Sequence, residues 1–172
     1  SCSKVKKETF MNGNILTLSS YPIKGLSAQT HQSAELTAGD GFPGDRLFGF
    51  AKKNSGFDPA NPQPLPKSRF IVLLQHAKLA GLATAFDAKT RILAIRTSDG
   101  QNLEFDMNSE TGVTDASSFL TGLLNLSDDE VPFFASAFPH RFTDASVAST
   151  TLMNAISFIN MESVRAFEKE IS

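Results

Sequence analysis

The stretch that decides the fold class is RILAIRTSDGQNLEFDM, residues 91–107. RILAIRT and NLEFDM each alternate apolar with polar side chains closely enough for a half-buried β-strand. Between them lie Ser98, Asp99 and Gly100, and an Asp-Gly pair is typical of the tight turn that joins antiparallel strands. The stretch therefore predicts a β-hairpin.

Further strands are predicted on both sides of this hairpin, at residues 14–20, 33–38, 46–51, 131–137 and 155–159. Pro22 and Gly25 predict a turn that carries Lys24. The glycine- and proline-rich run at 39–45, GDGFPGD, predicts a compact loop just before Arg46. A long surface loop is expected at 52–67, since its four prolines exclude a helix.

Helices are predicted at three places. Leu79, Leu82 and Phe86 have the i, i+3, i+7 spacing of one helix face, although the apolar run FIVLL just before them could instead begin a strand. A second helix is expected from a cap at Thr114 or Asp115 to about residue 124, and a third after an Asn160 cap, in 161–172.

Strands outnumber helices in these predictions, and no regular alternation of strand and helix occurs. A partly closed barrel is therefore favoured over an open parallel sheet. The expected class is mainly β (α+β), with a partly closed β-barrel-like module on which two or three helices pack.

Composition excludes several classes of function. Sixteen basic and 18 acidic residues leave a net charge of −2, without the basic runs that follow a nucleic acid backbone. We expect no nucleic acid or membrane partner and a cytoplasmic location, because no apolar stretch approaches membrane-spanning length. Cys2 is the single cysteine, so neither a disulfide framework nor a cysteine-based zinc site is expected.

Catalytic patterns are also missing. His31, His76 and His140 are widely separated in the sequence and have no metal-ligand spacing, and no serine lies in a GxSxG context. The sequence therefore predicts neither a catalytic residue nor a metal ligand.

Lys24 and Arg46 are the candidate binding residues, because both are cations on loops next to strands. The glycines beside them, Gly25 and Gly44, would let a ligand approach the backbone, and Lys with Arg suits a phosphate dianion. The alternative is that Lys24 faces water and that Arg46 pairs locally with Asp45.

Several segments carry a resemblance to a known family. ILTLSSYPIKGL (15–26), AELTAGDGFPGDRLFGF (34–50) and PLPKSRFIVLLQHAKLAGL (64–82) resemble the N-terminal β-barrel module that precedes MOSC domains. FTD (142–144) and AISFINMESVRAFE (155–168) resemble the opening of the MOSC domain itself. The similarity runs in order through nearly the whole chain from Met11 onward.

The resemblance implies binding of the molybdenum cofactor, molybdopterin. Relatives include the mitochondrial amidoxime-reducing component, bacterial proteins that reduce N-hydroxylated compounds, and the C-terminal part of molybdenum-cofactor sulfurases. It further implies an oxidoreductase or sulfur-carrier role, a redox partner protein, and contacts from Lys24 and Arg46 to the phosphate and pterin of the cofactor.

One departure from the family bears on activity. In the family an RFRPN-like segment and a cysteine that ligates molybdenum follow the helix that here reaches Ser172, and Cys2 lies far from that place. We expect residues 1–10 to be a tag or disordered arm, 11–130 the barrel module, and 131–172 the truncated beginning of the MOSC domain.

Two functions stay open on these grounds. The first is a molybdopterin-binding domain that is incomplete and inactive as given. The cofactor belongs to the full-length family, and none is expected to be bound in this chain, which lacks the thiolate that holds molybdenum. The second is a non-catalytic module that recognises an anionic small molecule or a partner protein. Whether the chain is an enzyme is undecided by its sequence.

Overall fold

A computed structural model describes residues 13–171 of the protein. Strands and helices both contribute to these residues, so the α+β class is confirmed, and three α-helices are present in them. The tag or arm expected at 1–10, together with Cys2, lies outside the described residues. None of the helices in the described part combines the length and the apolar character needed to cross a membrane.

Eight strands and three α-helices make up the described part of the chain. The strands are β1 (Leu18–Ser20), β2 (Ile23–Lys24), β3 (Gln29–His31), β4 (Phe48–Lys52), β5 (Ala83–Phe86), β6 (Ile92–Arg96), β7 (Asn102–Asp106) and β8 (Pro132–Ser136). The α-helices are α1 (Glu110–Leu124), α2 (Asp144–Ala148) and α3 (Met161–Ile171), and 3₁₀ segments lie at Lys53–Ser55, Lys67–Arg69, Ala77–Gly81 and Thr150–Asn154.

The strands form three small sheets. β1 pairs with β3, β5–β6–β7 is an antiparallel meander, and β4 lies between β2, which is parallel to it, and the antiparallel β8. Within residues 13–171 the sheets do not close into a barrel. The expected division at residue 130 stays a prediction, although β8, which follows it, belongs to the same sheet as β4.

Side chains link the outer edge of β5 to Ser27, between β2 and β3, and to Gln29, the first residue of β3. Thr84 N donates to Ser27 Oγ at 3.1 Å, and Ser27 Oγ donates to the Leu82 carbonyl at 2.9 Å. Gln29 Oε1 accepts from Phe86 N at 2.7 Å. These bonds satisfy an edge that would otherwise expose backbone groups to other chains.

Two apolar clusters lie on opposite faces of β4. Phe50 belongs to the larger cluster and the next residue, Ala51, to the smaller one, because successive side chains of a strand point to opposite faces. Fully buried members of the larger cluster include Ile23, Ile71, Leu93, Ile95 and Leu120, and the smaller cluster contains Phe70, Val72, Ala135, Ala137 and Phe142.

The hairpin prediction is confirmed. β6 and β7 pair with Ile95 opposite Leu103, and Gly100 has the positive φ of +89° that the turn requires. The strands predicted at 46–51 and 131–137 correspond to β4 and β8, and the 14–20 prediction retains only its end as β1.

The helix predicted around residues 79–86 is wrong. Leu79 lies in a 3₁₀ segment that ends at Gly81, and β5 follows directly. Leu82 and Phe86 are buried, as the spacing required, but β5 satisfies its backbone against β6. Apolar spacing in so short a segment fits both structures, and pairing with β6 decided between them.

The strands predicted at 33–38 and 155–159 are also wrong, because neither segment has a partner strand. Leu36 is 54% exposed and Phe158 85% exposed, so their apolar side chains gain no burial from a strand. A strand needs both a neighbour and a covered face, which alternation alone does not supply.

Helix boundaries were predicted with mixed success. Ser109, not Thr114 or Asp115, caps α1, since its side chain accepts from Gly112 N and the helix begins at Glu110. The Asn160 cap of α3 is confirmed, because Asn160 Oδ1 accepts from backbone N–H groups of the first turn. α3 buries none of its described residues.

Candidate functional site

Lys24 lies in β2 and not on the turn where it was predicted. It pairs in register with Gly49 of β4, and the turn comes one residue later at Gly25, whose φ is +85°. The Lys24 side chain is 7% exposed. Its ammonium donates to the Phe142 carbonyl at 2.8 Å and to Asp144 Oδ1 at 2.7 Å, so the buried charge is paired.

Burial and charge act against each other in this pair. Burial is the largest influence on Lys24 and lowers its pKa, while the hydrogen bond and the charge of Asp144 oppose that shift. For Asp144 burial raises the pKa, but the hydrogen bond and charge of Lys24, with the charges of Lys67 and Arg46, bring the pKa below its usual value.

Arg46 lies on the loop before β4 with a φ of +51°, which is uncommon for a residue other than glycine. Its Nη1 donates to Asp45 Oδ2 at 2.6 Å, and its guanidinium lies 4.9 Å from the centre of the Tyr21 ring. Asp45 Oδ1 also accepts from Tyr21 N at 2.7 Å. The local pairing with Asp45 is therefore present, and Nη1 is the guanidinium nitrogen that forms it.

The loop that carries Arg46 is held in place by Arg141. Arg141 Nη1 donates to the carbonyls of Phe42 and Asp45, both at 2.7 Å, and Nε donates to Asn154 Oδ1 at 3.2 Å. Asn154 Nδ2 in turn donates to the Gly39 carbonyl at 2.8 Å. The loop is thus fixed from residue 39 to residue 45 by one side chain and its partner.

The neighbouring residue Phe142 connects the two candidate binding residues through its backbone. Its N–H donates to the Arg46 carbonyl at 2.8 Å, and its own carbonyl accepts from Lys24 Nζ at 2.8 Å. Lys24 and Arg46 are therefore positioned by the same peptide segment.

A third cation, Lys67, lies beside them. Lys67 Nζ is 3.8 Å from Asp144 Oδ2, and the charges of Arg46 and Lys67 both lower the pKa of Lys24. We call Lys24, Arg46 and Lys67 the cation cluster. Lys67 and Asp144 were missed as site residues, although both lie in segments that carry the family resemblance, 64–82 and 142–144.

The two glycines singled out beside Lys24 and Arg46 differ from each other. A Cβ on Gly25 would lie 2.4 Å from the Ile71 carbonyl oxygen, so Gly25 serves internal packing and does not open the backbone to a ligand. At Gly44 a Cβ would meet nothing within 4 Å, which leaves the backbone beside Arg46 accessible.

Two of the three histidines, His31 and His76, lie in other surroundings. His31 Nε2 lies 2.8 Å from Ser20 Oγ, while His76 has a pKa lowered first by burial and then by the charge of Lys52. Among residues 13–171 no group of three or more His, Cys, Asp or Glu side chains could hold a metal ion.

Comparison with known families assigns most of the chain to one family. A family model described as the MOSC N-terminal beta barrel domain matches residues 12–138. The chain belongs to the MOSC family. Comparisons with curated proteins and with solved structures gave no match. The MOSC match contains all three residues of the cation cluster, whereas Asp144 and Asn154 lie beyond it.

The cluster fits one part of a molybdenum cofactor. The phosphate group of the cofactor suits the three cations of the cluster. They are the ammonium of Lys24, whose side chain is 7% exposed, the guanidinium of Arg46, which has free donors, and the ammonium of Lys67. In the described part of this MOSC chain the charges and donors of the cluster are thus compatible with a phosphate group.

Proposed function

We propose that this MOSC chain binds the phosphate of a molybdenum cofactor through Lys24 and Arg46. The observation that carries the proposal is that the Phe142 backbone links the two residues: its carbonyl accepts from Lys24 Nζ, and its N–H donates to the Arg46 carbonyl. A cluster that already binds one anion has the charge and the donors to bind another.

Each cation would contribute differently. Lys24 is a compact charge that protein surrounds, so its attraction for an anion is less screened by water than that of a surface lysine. Arg46 has five N–H donors, and its Nη1 gives one of them to Asp45. The edge formed by Nε and Nη2 is left to donate to two oxygens of a phosphate. Together they would fix the position and the orientation of the phosphate.

When bound, the cofactor supplies redox-active molybdenum, and the role of these residues is to hold and orient it. By resemblance, we place the chain in an oxidoreductase or sulfur carrier of the cytoplasm that works with a redox partner protein. We also propose that the three sheets form a partly closed barrel. The side-chain bonds from Ser27 and Gln29 to β5 take the place of one strand ladder there.

Expression in a host that makes the cofactor tests the proposal. Bound pterin would be quantified after purification for wild type, Lys24→Met, Arg46→Met and the control Lys89→Met, which alters an exposed lysine on the turn after β5. Circular dichroism would check that each variant folds.

We expect pterin in wild type and in the control, and at least a tenfold loss in the two cluster variants. Equal pterin in all four proteins, or none in wild type, would contradict the proposal. Binding of inorganic phosphate without pterin would favour the alternative, a non-catalytic module for an anionic small molecule.

A further inference from the structure

We propose that the Asp144 carboxylate occupies the position of the ligand anion within the cation cluster, and that a phosphate displaces it while Lys67 becomes a third ligand contact. This inference rests on the proposed function and extends it to the way the site is controlled. Asp144 would act as a built-in competitor that weak or singly charged anions cannot replace.

The geometry of Asp144 is that of a bridging anion. Its Oδ1 lies 2.7 Å from Lys24 Nζ, and its Oδ2 lies 3.8 Å from Lys67 Nζ. One carboxylate therefore spans two ammonium groups that come from separate parts of the chain. A phosphate offers a similar spread of oxygens with an additional negative charge.

The charges balance better with a phosphate than with Asp144. Arg46 and the two lysines carry three positive charges, of which Asp45 neutralises one, leaving two. Asp144 supplies a single negative charge, so the cluster stays positive by one. A phosphate dianion in its place would neutralise the cluster completely.

Asp144 can leave without disturbing the backbone. Its side chain is 62% exposed, whereas that of Lys24 is 7% exposed, so rotation moves the carboxylate into water. The adjacent backbone is fixed independently, since the Phe142 N–H donates to the Arg46 carbonyl and the Thr143 side chain accepts from Ser146 N. Lys24 keeps the Phe142 carbonyl as an acceptor after the carboxylate has moved.

Calorimetric titration with inorganic phosphate tests the proposal on matched variants. Asp144→Asn should bind phosphate about 5–10-fold more tightly than wild type because it removes a competing charge. The control Asp115→Asn removes the same charge from an exposed position of α1 and should leave affinity unchanged. Lys67→Met should weaken binding several-fold without lowering the melting temperature, since Lys67 is 52% exposed.

A second measurement uses the wild-type protein, so it does not depend on the folding of a variant. The carbon NMR shift of the Asp144 carboxylate, followed at about pH 8 where phosphate is a dianion, should move toward that of a solvent-exposed aspartate when phosphate saturates the site, because the carboxylate then loses its contact with Lys24. An unchanged shift under saturating phosphate would overturn the displacement.

The outcomes separate this inference from the proposed function. Suppose that Lys24→Met and Arg46→Met lose phosphate binding, but that Asp144→Asn gains no more affinity for phosphate than Asp115→Asn does. The inference then fails and the proposed site stands. If neither wild type nor Asp144→Asn binds phosphate, both fail. If Lys67→Met binds phosphate as tightly as wild type, Lys67 does not contact the ligand, and that part of the inference is overturned.

Discussion

Lys24 and Asp144 lie 120 positions apart in the chain, and Lys24 Nζ is 2.7 Å from Asp144 Oδ1. The contact joins β2, in the sheet formed by β2, β4 and β8, to the first residue of α2. The Lys24 side chain is buried, so its positive charge stays in place, whereas the exposed Asp144 side chain can rotate its negative charge into water.

Replacing Arg46 by lysine separates its local role from a ligand role. Lysine cannot form the two parallel bonds of a guanidinium, so Arg46→Lys should weaken phosphate binding by ~1–3 kcal/mol. The Arg46 side chain is 36% exposed, so its ion pair with Asp45 contributes little to stability. The melting temperature of Arg46→Lys should therefore barely change. Calorimetry beside melting curves decides this, and equal affinity with a lower melting temperature would assign Arg46 to the fold.

Arg141 is predicted to be a positioning residue for the loop of Arg46. Arg141→Met removes both bonds to the carbonyls of Phe42 and Asp45, so the loop should become mobile and phosphate affinity should fall. Asn154→Ala removes only the bonds to Arg141 Nε and to Gly39, and a smaller loss is expected. Amide hydrogen exchange over 39–46 provides the readout, and unchanged protection in Arg141→Met would contradict the assignment.

The turn after Lys24 should not tolerate a side chain. In Gly25→Ala the new Cβ would lie 2.4 Å from the Ile71 carbonyl oxygen, in addition to the strain of a φ of +85°, so a loss of about 2–5 kcal/mol is expected. Gly100→Ala has a similar φ with nothing within 4 Å and should cost about 1–2 kcal/mol. Urea unfolding of both variants gives the comparison, and equal losses would show that packing is not limiting at Gly25.

Acid should destabilise the fold in part through Glu130. The hydrogen bond and then the charge of Lys52 lower the pKa of Glu130 below its ordinary value of 4.5. The folded state therefore binds fewer protons than the unfolded chain, and the stability that this pair contributes is present above pH 4.5 and is lost as the pH falls below it.

Glu130→Gln should accordingly lower the melting temperature at pH 7 and reduce its decline below pH 4.5. Glu104→Gln, at an exposed position of β7, is the control. Identical pH profiles for wild type and Glu130→Gln would show that the contact with Lys52 has no energetic effect.

The cation cluster could be predicted from the sequence only in part. Lys24 and Arg46 were identifiable because each follows or precedes a strand and lies beside a glycine. Lys67 and Asp144 were not identified, although both lie in segments that resemble the family, since a lysine after prolines and a single aspartate are common on any surface. Their role depends on distances between segments that lie up to 120 residues apart.

Local rules determined the hairpin at 91–107 and the Asn160 cap, because an Asp-Gly turn and a side-chain cap involve residues only a few positions apart. The helix predicted near Leu79 failed for the opposite reason. Its apolar spacing suits a helix or a strand, and the free edge of β6 made the strand the lower-energy choice.

The sequence by itself therefore determined the α+β class, the Asp-Gly turn of the hairpin, and Lys24 and Arg46 as candidate binding residues. Tertiary structure decided which strands found partners, that Lys24 is buried, and that Asp144 pairs with it. The physical reason is range: turns and caps are set by neighbours in the chain, whereas strand pairing, burial and ion pairing depend on segments that only folding brings together.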